Sequence, residues 1–269
     1  MTTTRGLRER DRPITMLTAY DALTARIVEA AGIDVILVGD SMGTEVLGYD
    51  DTLAVTREEM QNRTAAVVRG TEDALVVADM PFLSVGVDDS ETIRNAGRML
   101  KEAGADAVKL ESGPHTVEIT DRLTQLGIPV MAHLGLTPQH VNQLGGYSRQ
   151  GTTTEAAEEI LSLARAHEEA GAFALVLEHV PANVAGQVTE ALNIPTIGIG
   201  GGPDCDGQVL VLTDVMGLSE DQPPFAEQFG DVEAAMTDAV DAYRSAVENG
   251  EFPSAEHSHV EESVDDLTE

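Results

Sequence analysis

The chain has 269 residues, 47 acidic and 16 basic, for a formal net charge of −31, and 42% of them are apolar. That apolar share supports a packed core and excludes general disorder, and the length suits one large α/β domain or two small ones. The acidic excess repels phosphate backbones, which argues against nucleic-acid binding, and no run of 18 apolar residues is present to span a membrane.

The opening stretch, MTTTRGLRERDR, lacks the apolar region of a signal peptide, so a cytoplasmic location is expected. From residue 14 onward, apolar runs of strand length alternate with helix-period segments. The expected strands are 14–20, 35–40, 74–80, 107–111, 129–134, 173–179, 195–199 and 208–213. They are β-rich and nearly continuous in apolar character, as parallel strands buried on both faces are. Residues 90–103 and 155–170 have amphipathic helical period; Ser90 is the expected N-cap of the first, and the two end at Gly104 and Gly171. Three junctions echo one another, EAAGIDVILV at 29–38, KEAGADAVKL at 101–110 and EEAGAFALVL at 168–177. Each reads as helix end, Gly, short turn and strand, the signature of stacked βα units. Eight strands alternating with helices predict a (β/α)8 TIM barrel over residues 1–250. The alternative, an open doubly wound sheet, usually has a Gly-rich turn after strand one, where this chain has TAYDAL. Residues 251–269, with seven acids and no Lys or Arg, read as a solvated, partly disordered tail.

Two connections are long, 41–56 after strand two and 135–154 after strand five, both on the face where such barrels keep their chemistry. Polar groups close or interrupt the apolar runs in the same places: Asp40 and Ser41, Asp79, Lys109 and Glu111, His133, and Glu178. Buried charges need a partner or an ion, and strand C-termini would bring these groups to one mouth. Asp40, Asp79 and Glu111 offer the hard oxygens that Mg²⁺ prefers, although any one of them could be a helix cap or a salt-bridge partner. Lys109 is one of only two lysines and could meet a carboxylate or enolate oxygen, or form an ion pair with Asp79 or Glu111. Glu178, desolvated in LVLEHVP, suits a general base and could equally partner His133 or His179. His133 reads as a hydrogen-bonding core histidine or a support for the site, and His179 as structural. The single Cys205 excludes an internal disulfide, the Gly-rich run at 198–207 is a weak anion signal without Lys or Arg, and His257 and His259 are a weak metal pair.

TAYDALTARIVEAAGIDVILVGDSMG, VVADMPF, VKLE, HLGLTPQ, LVLEHVP and IGIGGG, in this order, resemble the ketopantoate hydroxymethyltransferase family. The resemblance implies a (β/α)8 barrel, Mg²⁺ dependence and a homo-oligomer, often a decamer. It implies metal ligation by Asp40, Asp79 and Glu111, substrate contacts from Asp40, Ser41, Asp79 and Lys109, and Glu178 as proton acceptor. The implied reaction moves a hydroxymethyl group from 5,10-methylenetetrahydrofolate to 3-methyl-2-oxobutanoate through a Mg-stabilised enolate, giving 2-dehydropantoate for pantothenate synthesis. A Mg²⁺-dependent C–C lyase or phosphoenolpyruvate mutase type is the alternative enzyme, and a non-catalytic 2-oxo-acid-binding barrel the alternative to an enzyme.

The charge carries a second message. Sixteen basic residues include only Lys101 and Lys109 as lysines, a balance that resembles haloarchaeal cytoplasmic proteins. So acidic a surface repels itself in dilute buffer, whereas molar salt shortens the screening length to about 3 Å. The melting temperature is therefore expected to rise with KCl into the molar range; greater stability in dilute buffer would end the halophilic reading.

Overall fold

Eight parallel strands close into a barrel in the order of the sequence. The computed structural model describes residues 2–219 and 221–261, so the last eight residues of the acidic tail, 262–269, lie outside the described residues. The first half of the chain holds α1 (Thr4–Arg8), β1 (Ile14–Thr18), α2 (Ala22–Ala30), β2 (Val35–Val38), α3 (Arg57–Arg69), β3 (Leu75–Asp79), α4 (Asp89–Lys101), β4 (Ala107–Glu111), α5 (Val117–Gln125) and β5 (Val130–Gly135). Then come α6 (Val141–Leu144), α7 (Thr154–Glu169), β6 (Ala174–Glu178), α8 (Ala182–Ala191), β7 (Thr196–Ile199), β8 (Gly207–Leu210), α9 (Leu212–Met216) and α10 (Val232–Glu248). Pairing of β1 with β8 closes the barrel and leaves no strand edge. Packing separates a larger unit, Met1–Leu212 with Gln222–Ala226, from a smaller one, Thr213–Asp221 with Glu227–Glu269.

Local chemistry sets the helix starts. Asp21 caps α2, a Thr56–Glu59 capping box opens α3, and Thr153 caps α7. The N-cap of α4 is Asp88, not the expected Ser90, because the Asp88 carboxylate accepts the Glu91 N–H and draws the helix start back to Asp89. The eighth strand is also shorter than expected. It stops at Leu210, and the backbone N–H of Leu212 is met by the Thr18 hydroxyl instead of by a sheet neighbour. The strands β7 and β8 are joined by the Gly-rich turn 200–206 with no helix of its own.

Alternation along the strands builds two layers. Ile14, Met16, Val35, Leu37, Leu75, Val77, Ala107, Met131, Val176, Ile197 and Val209 fill the barrel interior. Outside, Ala132, Leu134, Leu175 and Leu177 pack against Ile160, Ala164, Val184 and Val188 of α7 and α8. At the floor, buried Asp34 pairs with Arg10 and Arg12 and accepts the Thr15 N–H. The interior face continues along each strand with the same two-residue period, so Thr18, Asp79, Lys109, His133 and Glu178 form the next layer toward the strand C-termini. The fold thus aims these groups inward by parity alone.

The smaller unit holds α10, whose start is capped by the Asp231 carboxylate and whose Met236, Val240, Tyr243 and Val247 share one helical stripe. His257 donates or accepts with the Ser254 hydroxyl at 2.8 Å and packs on Phe252, while His259 stands 3.7 Å from Glu261. No helix among the described residues is long and apolar enough to cross a membrane.

Gly135 ends β5 with φ +99°, and a Cβ there would lie 2.2 Å from the backbone oxygen of Glu178. Only glycine allows the two strands to meet this closely at the level of Glu178. Gly135→Ala is expected to lower stability by more than about 1 kcal/mol in denaturant melts. Gly127→Ala, equally left-handed but facing open space, is the control; equal losses would show that the Glu178 contact is not tight.

Candidate active site

The inward layer forms a connected line of charge. Lys109 Nζ on β4 lies 2.8 Å from Asp79 Oδ1 on β3 and 3.2 Å from His133 Nδ1 on β5. On the far side of the ring, His133 Nε2 is 3.1 Å from Glu178 Oε2 on β6. That contact is close but off the hydrogen-bond line, so Nε2 is a buried nitrogen without a hydrogen-bond partner. Sheet register sets Asp79 level with Lys109, whereas Lys109 is level with Met131 and Glu178 with Gly135, so the contacts of His133 with Lys109 and Glu178 run diagonally, two residues out of register. The side chains of Lys109 and Asp79 are 7% and 5% exposed. Around this line a cavity of about 100 Å³ is lined by Asp40, Ser41, Asp79, Lys109, Glu111, His133 and Glu178, with Leu37, Val176 and Val209 as its apolar floor.

Asp40 and Ser41 reach the cavity from the turn after β2, not from a strand. The backbone N–H of Asp40 donates to Asp79 Oδ2 at 3.2 Å, and the Ser41 hydroxyl is tied to the buried Tyr20 hydroxyl at 2.9 Å. Burial works against the Lys109 ammonium, but the charges of Asp79, Asp40 and Glu111 outweigh it and hold it protonated well above the ordinary lysine range. The ion pair with Asp79, one of the alternatives open for Lys109 in the sequence, is therefore present alongside its position in the cavity. Glu111 accepts the Gln139 N–H and stands 3.5 Å from His140 Nδ1. His179 instead packs its ring on Phe225, with centroids 5.3 Å apart and φ +49°, and does not line the cavity.

Every site residue singled out from the sequence thus lines one cavity. Three further contributors escaped that reading: Thr18, Thr52 and Gln139. Thr18 looks like an ordinary strand residue, and its inward direction emerges only from the parity of β1. Thr52 and Gln139 sit in the two long connections after β2 and β5, whose length was a signal while the individual side chains carried none.

Four carboxylates here face one ammonium, which leaves an excess of buried negative charge that calls for a cation. Among the described residues no three His, Cys, Asp or Glu side chains stand already gathered as a metal cage. Mg²⁺ does not need one, because it is commonly held by one or two carboxylates with water and substrate oxygens completing an octahedron. The all-oxygen donors Asp40 and Asp79, linked by the Asp40 N–H, with Glu111 beside them, fit that ion.

The family model of ketopantoate hydroxymethyltransferase matches residues 1–255. This chain belongs to that family. It is accordingly a transferase enzyme. The 3-methyl-2-oxobutanoate hydroxymethyltransferase of Haloarcula marismortui is 70% identical over 269 residues, covering 99% of this chain and 100% of the relative. The enzyme of the same name from Halobacterium salinarum strain R1 is 68% identical over 96% of this chain and 94% of the relative. Among solved structures, the phosphoenolpyruvate phosphomutase of Streptomyces platensis subsp. rosaceus matches with a TM-score of 0.63 at 15% identity, covering 91% of this chain and 86% of that one. At that identity the likeness is one of barrel architecture. The haloarchaeal source of the two relatives accords with the acidic, lysine-poor composition.

Burial, and then the charges of Asp79 and Glu111, push the Asp40 carboxyl well above the usual range, against the pull of Lys109 and the Gln139 amide. A carboxyl raised on folding contributes stability below its unfolded pKa, about 3.9, and loses it as pH rises through the folded value. In metal-free protein, Asp40→Asn is expected to raise the melting temperature at about pH 8, and the gain should vanish near about pH 3. A lower melting temperature than wild type at the higher pH would contradict this charge balance.

Proposed function

We propose that the chain transfers a hydroxymethyl group from 5,10-methylenetetrahydrofolate to 3-methyl-2-oxobutanoate, giving 2-dehydropantoate. The observation that carries the reading is the line Asp79–Lys109–His133–Glu178 across one small, half-apolar cavity, in a chain 70% identical to a relative named for that activity. The enzyme works in this reading with Mg²⁺, in the cytoplasm and as a homo-oligomer.

Asp40 and Asp79, with Glu111 to complete the set, would hold Mg²⁺, which when bound supplies Lewis acidity toward the oxygens of the keto acid. The side chains do the rest. The Ser41 hydroxyl, fixed by Tyr20, orients the carboxylate end of the substrate, and Leu37, Val176 and Val209 suit its isopropyl end. Lys109 donates to the oxygen on which negative charge grows as the carbon acid loses its proton. Glu178, near the C-terminal end of β6, takes that proton from C3 at a carboxylate oxygen. His133, hydrogen-bonded to Lys109 through Nδ1, stands beside the base with Nε2 3.1 Å from Glu178 Oε2. The C3 carbanion then attacks the one-carbon unit: the new C–C bond forms as one of that carbon's two bonds to folate nitrogen breaks, and water displaces the second nitrogen to leave the hydroxyl, the C3 proton and one water proton passing to the two nitrogens of the released tetrahydrofolate. The cavity is small, so the bulky pterin approaches from the mouth formed by the two long loops.

In D₂O with Mg²⁺, the keto acid and no folate, the protein is expected to exchange the C3 proton, as followed by NMR. Glu178→Gln should slow that exchange by ~100-fold or more, and EDTA should abolish it. Exchange unchanged in Glu178→Gln would remove Glu178 as the base, and cleavage of a C–C bond on adding folate would point to a lyase.

A further inference from the structure

Gln139, in the loop after β5, takes part in none of the steps above, yet it hydrogen-bonds two of the three carboxylates assigned to the metal, Asp40 and Glu111. Its backbone N–H donates to both oxygens of Glu111, at 3.1 and 3.0 Å. Its side-chain amide nitrogen donates to Asp40 Oδ2 at 2.8 Å and to the Met80 carbonyl at 2.9 Å. The Met80 carbonyl can only accept, so the orientation of the amide follows from chemistry: the nitrogen must face it. Asp79 is held by other means, Oδ1 by Lys109 and Oδ2 by the Asp40 N–H.

The consequence lies in which oxygens stay open. With Oδ2 accepting from Gln139, Asp40 has Oδ1 without a hydrogen bond among the described residues, and swinging the carboxylate to turn both oxygens toward a cation would weaken the Gln139 bond. Mg²⁺ demands near-ideal octahedral geometry with short bonds to single oxygens, whereas Ca²⁺ takes six to eight oxygens and readily accepts a carboxylate through both. We infer that Gln139 is a positioning residue that confines Asp40 to one-oxygen ligation and thereby makes the site prefer Mg²⁺ over Ca²⁺. The inference rests on the Mg²⁺ reading of the Asp40–Asp79–Glu111 cluster.

The test is calorimetric titration of metal-free protein with MgCl₂ and with CaCl₂ in molar KCl, without substrate, for wild type, Gln139→Met and Gln139→Asn. The methionine keeps the bulk and loses the donor; the asparagine keeps the amide and loses the reach. Neither alters the backbone N–H that holds Glu111. Both variants are expected to lose 10- to 100-fold in Mg²⁺ affinity, the usual cost of removing a group that orients a ligand. Their Ca²⁺ affinity should hold or rise, so the preference for Mg²⁺ falls by about tenfold or more. A wild-type preference retained in a variant that still melts cooperatively overturns the role of Gln139 while leaving the metal site standing. Wild type that takes up no Mg²⁺ overturns the metal reading itself, a different result.

Discussion

Everything at the mouth of this barrel turns on one imbalance: the carboxylates of Asp40, Asp79, Glu111 and Glu178 surround a single ammonium, that of Lys109, above an apolar core. In water such a cluster would cost little, because its members would drift apart and be screened. Inside a barrel they cannot drift. Asp79, Lys109, Glu111 and Glu178 are set by strand register, and Asp40 by its hydrogen bonds to Asp79 and Gln139. The folded chain thus gathers like charges at one place, where the positive charge of Lys109 offsets only part of them.

The rest of the fold can be understood as what makes that storage tolerable. An apolar barrel interior lies beneath the polar layer, and an outer apolar layer fixes β5 and β6 against α7 and α8. Parallel strands closed into a ring have no edge to fray, so the positions of Lys109, His133 and Glu178 are held by neighbours on both sides. The two long loops add what strands cannot. The turn after β2 brings Asp40 and Ser41 over the cavity, and the loop after β5 brings Gln139 and His140 across to Asp40 and Glu111. Strands supply Asp79, Lys109, His133 and Glu178; loops supply Asp40, Ser41 and Gln139.

Polar groups within this site differ sharply in how far they can be read from the primary structure. Asp79, Lys109, His133 and Glu178 interrupt apolar runs, and an interruption in a run that must be buried is itself a signal. Ser90 shows the opposite case: as an N-cap it was a fair local choice, but Asp88 two residues earlier competes for the same N–H groups and wins with a charge. The eighth strand was overextended because VLVLT is as β-prone as any strand in the chain. Its end depends on Thr18, a residue nearly two hundred positions away that offers a hydroxyl to Leu212.

From residue types and their periodicity alone came the barrel, the strand positions within a residue or two at most ends and the identity of the main acidic and basic groups. These follow from local physics: burial on both faces demands unbroken apolar runs, and helix caps and glycines mark where such runs begin. Only the tertiary structure decided that Lys109 pairs with Asp79, that His133 links Lys109 to Glu178, and that Gln139 reaches Asp40 across 99 positions. Distances of a few ångströms between strands depend on register, closure and loop path, and those are properties of the whole packed ring that no single stretch of sequence contains.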